Sequence, residues 1–147
     1  ICMIDNNCAY CVEGELVEKF GIKICELETC KVYLFKEQSH RGRVIAAHKK
    51  HVGDMTELTQ EERSLYFEDI AKISSALRKI FNPQKINYGA YGDTGSHLHF
   101  HLVPKYKDEY EWGGVFLMNP DRVYLDDAEY VDLINEIREA LNEEHAD

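Results

Sequence analysis

The chain lacks a long hydrophobic run: no stretch of its 147 residues approaches the roughly 18 consecutive apolar positions of a membrane span. Ile1 to Asn7 has neither the basic region nor the sustained apolar core of a secretory signal. Internal repeats, low-complexity tracts and linker-like stretches are also absent. We therefore expect a single domain over residues 1–147, with no membrane partner and a cytoplasmic location.

The chain is also short of positive charge. Lysine and arginine number 17 against 27 acidic residues, which gives a formal net charge of -10. A surface of this sign has no general attraction for polyanions such as duplex DNA. We expect no nucleic-acid polymer as a partner, so any nucleotide-like ligand must be small and held locally.

Five cysteines are an odd number, and in a chain expected inside the cell they do not predict a disulfide framework. Cys8 and Cys11 form a C-x-x-C motif, which is typical of metal or redox sites. A redox pair usually follows a βαβ-like strand, and none precedes Cys8. Burial as two small residues is a further alternative. For Cys2, Cys25 and Cys30 we predict packing roles.

Histidine alternates with large apolar residues over six positions, His97-Leu98-His99-Phe100-His101-Leu102. In a β-strand the three imidazoles share one face, whereas a helix would scatter them, because each two-residue step turns it by about 200°. Neutral imidazole can attack phosphorus, carry a proton near pH 7 or bind a transition metal. Same-face neighbours lie about 6.7 Å apart in a strand, which suits a shared small ligand better than a single ion.

The remaining strand signals are short and bounded by turn residues. Cys25 to Glu28 and Lys31 to Lys36 predict a hairpin, Arg43 to Ala47 a third strand, and Lys85 to Tyr91 a fourth. The segment from Glu109 to Met118 fits no periodic pattern, and we expect it to be irregular or a strand.

Two helices complete the pattern. Thr59 and Glu62 form a candidate capping box, and Asn82 with the following proline ends that helix. Its apolar positions are Leu65, Ile70, Ile73, Leu77 and Ile80. A last helix starts near Asp126 or Asp127, with Val131, Ile134, Ile137 and Leu141 on one face. Together these elements predict an α+β fold: an antiparallel sheet of about five strands, one long central helix and a C-terminal helix.

The stretch from His97 to Val103 resembles the histidine triad (HIT) family of nucleotide hydrolases and transferases, whose mark is His-φ-His-φ-His-φ-φ with φ apolar. Three further features stand in the family's order: Cys8-x-x-Cys11, Lys49-Lys50-His51 and Asn87-x-Gly89-x-x-Gly92. The resemblance covers about Cys8 to Lys105. It implies a HIT-like fold and a homodimer.

The resemblance also implies reaction at the α-phosphate of a nucleoside phosphoramidate or dinucleoside polyphosphate, through a covalent nucleotidyl-histidine. His99 would be the nucleophile, which agrees with its place between two orienting neighbours. His101 would contact the phosphate and help protonate the leaving group.

By the same likeness Asn87, Gly92 and Thr94 would bind phosphate oxygens, and Glu37 the ribose hydroxyls. Arg43 stands where many members carry histidine. Its guanidinium could pair with phosphate or point elsewhere.

Cys8, Cys11 and His51 offer three zinc ligands, and the zinc-bearing relatives imply that His97 is the fourth. Such a site would be structural, because four protein ligands leave no position for a reactive water. For His40, His48 and His145 we expect exposed or loop positions.

Two other functions stay open. The loop ahead of the triad differs from that of common members, so the fold could serve as a nucleotide-binding or interaction module with little catalysis. Alternatively, the histidines could themselves hold a catalytic metal ion.

Overall fold

The computed structural model describes residues 5–145, which form a five-stranded antiparallel sheet with helices on both sides. The strands are β1 (Gly21–Glu26), β2 (Cys30–Phe35), β3 (Val44–His48), β4 (Lys85–Gly89) and β5 (His99–Lys105), in the spatial order β1-β2-β3-β5-β4. The helices are α1 (Ala9–Val12), α2 (Glu15–Glu18), α3 (Gln60–Phe81) and α4 (Asp127–His145), with a short 3-10 turn at Met55–Glu57. The predicted α+β class is confirmed.

One face of the sheet packs against α3 and α4 and forms the main core. Alternate strand residues such as Leu34, Val44 and Leu102 meet Ile73 of α3 and Ile137 of α4, all buried. The opposite face carries a smaller apolar cluster around Tyr10 and α2, and the histidines project there too. The two-residue alternation of the strands separates a structural face from a face available for chemistry.

Helix α3 begins where the capping box predicts. The Thr59 hydroxyl accepts from the Glu62 amide at 3.1 Å, and the Glu62 carboxylate accepts from the Thr59 amide at 2.9 Å. Asn82 ends the helix in the left-handed region, with φ of 47°. The long-helix prediction is therefore confirmed.

Each of the two predicted apolar helix faces has one exposed residue. Leu65 of α3 and Val131 of α4 lie at the solvent, and their preceding or following neighbours Tyr66 and Tyr130 are buried. At these two positions the neighbouring tyrosine takes the buried place, while later residues of each face, such as Ile73 and Ile137, are buried.

The triad strand is confirmed only in part: His99 and His101 lie in β5, whereas His97 lies in a bend just before the strand. His99 pairs with Ala47 and His101 with Ile45 across β3, while Leu98 continues the ladder by accepting from the His48 amide. Residues 109–118 form turns and no strand. Over the described residues no helix has the length and apolar character needed to cross a membrane.

Candidate active site

A cavity of about 1000 Å³ opens on the histidine face of the sheet. Of the predicted site residues its lining includes all three triad histidines together with Glu37, Thr94 and Cys8. Phe20, Phe35 and Ile45 give it an apolar wall on the side of β1 and β2, and Tyr91 and Phe116 line the side of β4. Asn87, Gly92 and Arg43 are not part of this lining.

His99 is buried at the floor of the cavity and has one defined hydrogen bond. Its Nδ1 lies 2.7 Å from the carbonyl oxygen of His97, and a carbonyl can only accept, so Nδ1 carries the hydrogen. Burial lowers the pKa of His99, which favours the neutral ring. Neutral His99 therefore keeps a free electron pair on Nε2. The Tyr10 ring packs against the imidazole, with ring centres 5.2 Å apart.

His101 has the opposite arrangement of hydrogens. Its Nδ1 lies 3.1 Å from Nη2 of Arg43, and a guanidinium can only donate, so Nδ1 is the acceptor. Burial and, next, the Arg43 charge lower the pKa of His101 to about 3. The ring is neutral at physiological pH and carries its hydrogen on Nε2. The two neighbouring rings thus offer an electron pair and an N–H donor, respectively.

Arg43 is completely buried and does not itself line the cavity, although it lies directly behind residues that do. Besides His101, its guanidinium donates to the carbonyl oxygens of Leu117 at 3.0 Å and Met118 at 2.9 Å. It also lies over the rings of Phe35 and Phe116, at 4.0 and 5.0 Å from their centres. Of the two orientations that the sequence left open, the structure has the one directed at protein groups.

Glu37 lines the cavity, but donors of the protein surround its carboxylate. It accepts from the amide and hydroxyl of Ser39 and from the amides of Arg122 and Val123, at 2.7 to 3.0 Å. Burial acts to raise the pKa of Glu37, but these hydrogen bonds outweigh it and the pKa is lowered. Glu37 thus joins the end of β2 to the segment before α4.

The three predicted phosphate-binding residues lie at different places. Asn87 is half-buried on the edge strand β4, opposite Val103 and on the same face of the sheet as His101. Gly92 and Thr94 belong to the exposed loop between β4 and the triad, and only Thr94 lines the cavity. Gly89 allows the rings of Tyr91 and Phe116 to lie close to the backbone, because a Cβ atom at this position would be 2.6 Å from Tyr91 and 2.7 Å from Phe116.

The four predicted metal ligands form one compact cluster. Their ligand atoms, Sγ of Cys8 and Cys11 and a ring nitrogen each of His51 and His97, all lie within 4.8 Å of one another. The two Nδ1 atoms are 3.1 Å apart, and sulfur-to-nitrogen distances are 3.2 Å from Cys11 to His51 and 3.3 Å from Cys8 to His97. A tetrahedral zinc with ordinary bond lengths would separate such atoms by about 3.3 to 3.8 Å. The quoted separations lie at or slightly below this range, and two thiolates with two imidazoles are a donor set that Zn²⁺ takes, so the residues fit a zinc ion.

His97 is prepared for this role by its second nitrogen. Nε2 lies 2.6 Å from the His48 carbonyl oxygen and must donate to it, which leaves the electron pair of Nδ1 directed at the cysteines. The carbonyl oxygen of His97 in turn accepts from His99. The cluster and the triad therefore share one residue.

The structure corrects the expectation for two histidines and adds residues that the sequence did not indicate. His48 ends strand β3 and is 5% exposed, which contradicts the predicted exposed or loop position; His40 lies in the predicted kind of loop, between β2 and β3, but is only 2% exposed. His40 contacts the Glu111 carboxylate at 2.7 Å, and the buried Lys105 ammonium donates to the carbonyl oxygens of Glu111 and Gly114. These contacts hold the 109–118 segment; the one from His40 to Glu111 joins residues 71 positions apart, which no local pattern signals. Cys30 is buried in the main core and the partly buried Cys25 packs against it, while Cys2 lies outside the described residues.

The chain shares sequence with several curated proteins. The protein hit of Bacillus subtilis is 27% identical over 136 residues, covering 88% of each chain. The adenosine 5'-monophosphoramidase hnt1 of Schizosaccharomyces pombe is 26% identical, over 73% of this chain and 80% of its own. The bis(5'-adenosyl)-triphosphatase of Dictyostelium discoideum is 28% identical, over 56% and 54%.

Solved structures share the fold at lower identity. A histidine triad protein of Sinorhizobium meliloti superposes with a TM-score of 0.79 at 22% identity, covering 86% of this chain and 94% of its own. A zinc-bound histidine triad family protein of Mycobacterium smegmatis gives 0.67 at 22% identity, over 95% and 96%.

The family model of the HIT domain matches residues 18–108, which is more than half of the sequence. This match includes the triad, the glycine loop and His51. The chain therefore belongs to the histidine triad family.

Proposed function

We propose that this protein hydrolyses or transfers nucleotides at the α-phosphate, through a covalent nucleotidyl intermediate on His99. The observation that carries the proposal is the paired arrangement of His99, with an electron pair on Nε2, and His101, with a hydrogen on Nε2. Distant relatives named as a monophosphoramidase and a dinucleoside triphosphatase support the class of reaction.

In the proposed reaction His99 Nε2 attacks the α-phosphorus, and the bond from phosphorus to the leaving group breaks. A leaving nitrogen takes a proton from solvent and departs as ammonia or an amine, whereas a leaving phosphate oxygen departs as the anion. The positive charge that develops on His99 is shared through Nδ1–H with the His97 carbonyl. Water then attacks phosphorus, releases the nucleoside monophosphate and restores the neutral imidazole, while its spare proton passes to solvent. An acceptor alcohol or amine in place of water gives transfer.

We assign His101 the role of hydrogen-bond donor to the phosphoryl group. Its Nδ1 is occupied by Arg43, so Nε2–H is the only hydrogen that the neutral ring can offer. Complete transfer of that hydrogen would leave an imidazolate, which is too basic to form near neutral pH. Stabilisation of charge on phosphate and leaving group is therefore the better account than full proton donation.

The cavity supports a nucleotide-sized ligand. Its volume of about 1000 Å³ is at the upper end for small-molecule sites, which leaves room for a leaving group beside the nucleotide. Phe20, Phe35 and Ile45 supply an apolar wall for a base. Thr94 and Asn87 stay candidates for phosphate contacts and Gly92 for backbone contacts, whereas Glu37 would need to exchange protein donors for ribose hydroxyls.

We further propose that Cys8, Cys11, His51 and His97 bind a structural zinc ion. The ion would tie the N-terminal segment to the residue whose carbonyl orients His99. Because all four ligands come from the protein, zinc would supply a fixed crosslink here. The homodimer, the single-domain extent of 1–147 and the cytoplasmic location stay proposals that rest on the sequence.

The test uses His99→Ala and His99→Asn, with adenosine 5'-phosphoramidate and diadenosine triphosphate as substrates. We expect kcat to fall by roughly 10³-fold or more in both variants, since no other group replaces the nucleophile. AMP affinity should change less than about threefold, because the cavity walls are intact. The control is His145→Asn at the end of α4, which should retain wild-type kcat.

Retention of activity in both His99 variants would overturn the proposal. If wild-type protein binds AMP yet turns over neither substrate, the result favours the hypothesis of a nucleotide-binding module with little catalysis. Immediate loss of activity on chelation, with the fold intact, would instead favour a catalytic metal.

A further inference from the structure

We propose that Arg43 is a positioning residue, which fixes the hydrogen of His101 on Nε2 and links that ring to the Leu117–Met118 backbone. The effect of this link on catalysis rests on the proposed function, whereas its effect on the position of the His101 hydrogen does not. Arg43 would act through His101 and would not itself touch the nucleotide.

The contacts of the guanidinium carry the inference. One terminal nitrogen, Nη2, donates both to His101 Nδ1 and to the Met118 carbonyl, and the other, Nη1, donates to the Leu117 carbonyl. The rings of Phe35 and Phe116 lie on the guanidinium at cation–π distances. A group enclosed in this way has one geometry, so His101 has one hydrogen-bonding partner at Nδ1.

Phosphate binding by Arg43 itself fits these contacts less well. The side chain is 0% exposed and does not line the cavity. Its Nε is buried without a hydrogen-bond partner among the described residues, and so faces protein atoms. A phosphate oxygen could reach the guanidinium only if His101 or the 117–118 backbone moved away.

Arginine at this position can do what a histidine cannot. A neutral imidazole has a single N–H donor and could bind either the triad ring or one carbonyl. The guanidinium binds all three partners at once. The segment that covers the cavity through Phe116 and Met118 is thereby connected to the ring that would face the phosphate.

The experiment compares wild type with Arg43→Met, which keeps the length of the side chain and removes every donor, and with Arg43→Lys, which keeps the charge and a donor. Arg41→Met is the matched control, because Arg41 is exposed and lies over Phe81 and Tyr106. Two readouts are needed: the ¹⁵N NMR shifts of the His101 ring, and kcat and KM for adenosine 5'-phosphoramidate.

Wild type, Arg41→Met and Arg43→Lys should show His101 protonated on Nε2 alone. Arg43→Met should show a mixture of both tautomers, with kcat lowered about 10- to 100-fold and KM changed less than about threefold. A single Nε2–H tautomer in a folded Arg43→Met protein would overturn the proposal. A protonated Nδ1 of His101 in Arg43→Lys would also overturn it. This second variant keeps the proposal testable if Arg43→Met does not fold.

The NMR readout separates this inference from the proposed function. If wild type proves inactive but the tautomer changes as expected, the positioning role stands and the catalytic proposal fails. If KM rises strongly while kcat and the tautomer are unchanged, Arg43 contacts the nucleotide directly and the positioning role is wrong.

Discussion

The roles of the three triad histidines are set by what each second nitrogen contacts. His97 and His99 each donate to a backbone carbonyl, from Nε2 and Nδ1 respectively, whereas His101 accepts from Arg43. Identical side chains thus present different atoms to the same side of the sheet. The sequence alternation predicts the shared face but not these tautomers, because their partners lie 49 and 58 residues away in two of the three cases.

Glu37 is another residue whose contacts the sequence does not predict. Its family position suggested ribose, whereas its carboxylate binds Ser39, which is close in sequence, and two backbone amides 85 and 86 residues away. The carboxylate is buried among several donors because the segment around Arg122 and Val123 passes beside Glu37, and the sequence does not reveal this contact. The carboxylate thereby stabilises the fold beside the cavity.

Glu37→Gln should therefore lower stability at neutral pH. The amide keeps only one acceptor oxygen for these donors, and we expect a loss of about 1–3 kcal/mol in the free energy of unfolding. The pKa of Glu37 is lowered in the folded state, so its contribution is present above the unfolded value of about 4.3 and is lost as pH falls through the folded value.

Urea unfolding at pH 7 and at successively lower pH measures this effect. The stability difference between wild type and Glu37→Gln should shrink below about pH 4. Glu136→Gln, at an exposed position of α4, should stay within about 0.5 kcal/mol of wild type at every pH. A difference that persists unchanged in acid would show that charge and hydrogen bonding at Glu37 are not its cause.

At the scale of elements, local signals predicted the long helix and the central strand well. The Thr59 capping box and the histidine alternation depend on neighbours within a few residues. The box occurs as predicted, and the alternation forms a strand from His99 onward, with His97 just before it. The 109–118 segment gave no periodic signal, because its conformation depends on Arg43, Lys105 and His40. Sequence reasoning succeeded where structure is local and failed where distant side chains decide it.

Helix α1 is the element whose stability depends most on the proposed zinc. It has only four residues, which are too few for a helix to be stable by itself. Cys8 directly precedes this helix and Cys11 belongs to it. Purified protein should contain about one zinc per chain, and Cys8→Ser or Cys11→Ser should lose it. Cys25→Ser is the matched control and should retain the metal, because Cys25 packs against the core.

Chelation should then increase amide hydrogen exchange in residues 8–13, while α3 stays protected. The two elements differ because α3 is buried against the sheet and carries its own cap. Metal-free wild-type protein with a fully protected α1 would contradict the proposed site. Undiminished zinc in both cysteine variants would show that the ligands were assigned incorrectly.

For the whole molecule, the sheet separates stability from chemistry. One face packs against α3 and α4, and the other carries the cavity, the triad and the Cys–His cluster. Because the net charge is -10, the protein as a whole does not attract an anionic ligand. Binding of such a ligand depends on a local site, which the neutral imidazoles and their partners form. The membership in the histidine triad family and the geometry of His99 thus lead to one central claim, a nucleotidyl-histidine.

The most direct test is mass spectrometry of the protein during turnover. Wild-type protein mixed with adenosine 5'-phosphoramidate and quenched in alkali should carry one adenylyl group, mapped by fragmentation to His99. His99→Ala should carry none. Steady turnover with no adduct at the shortest quench times, or an adduct on another residue that persists in His99→Ala, would contradict the account.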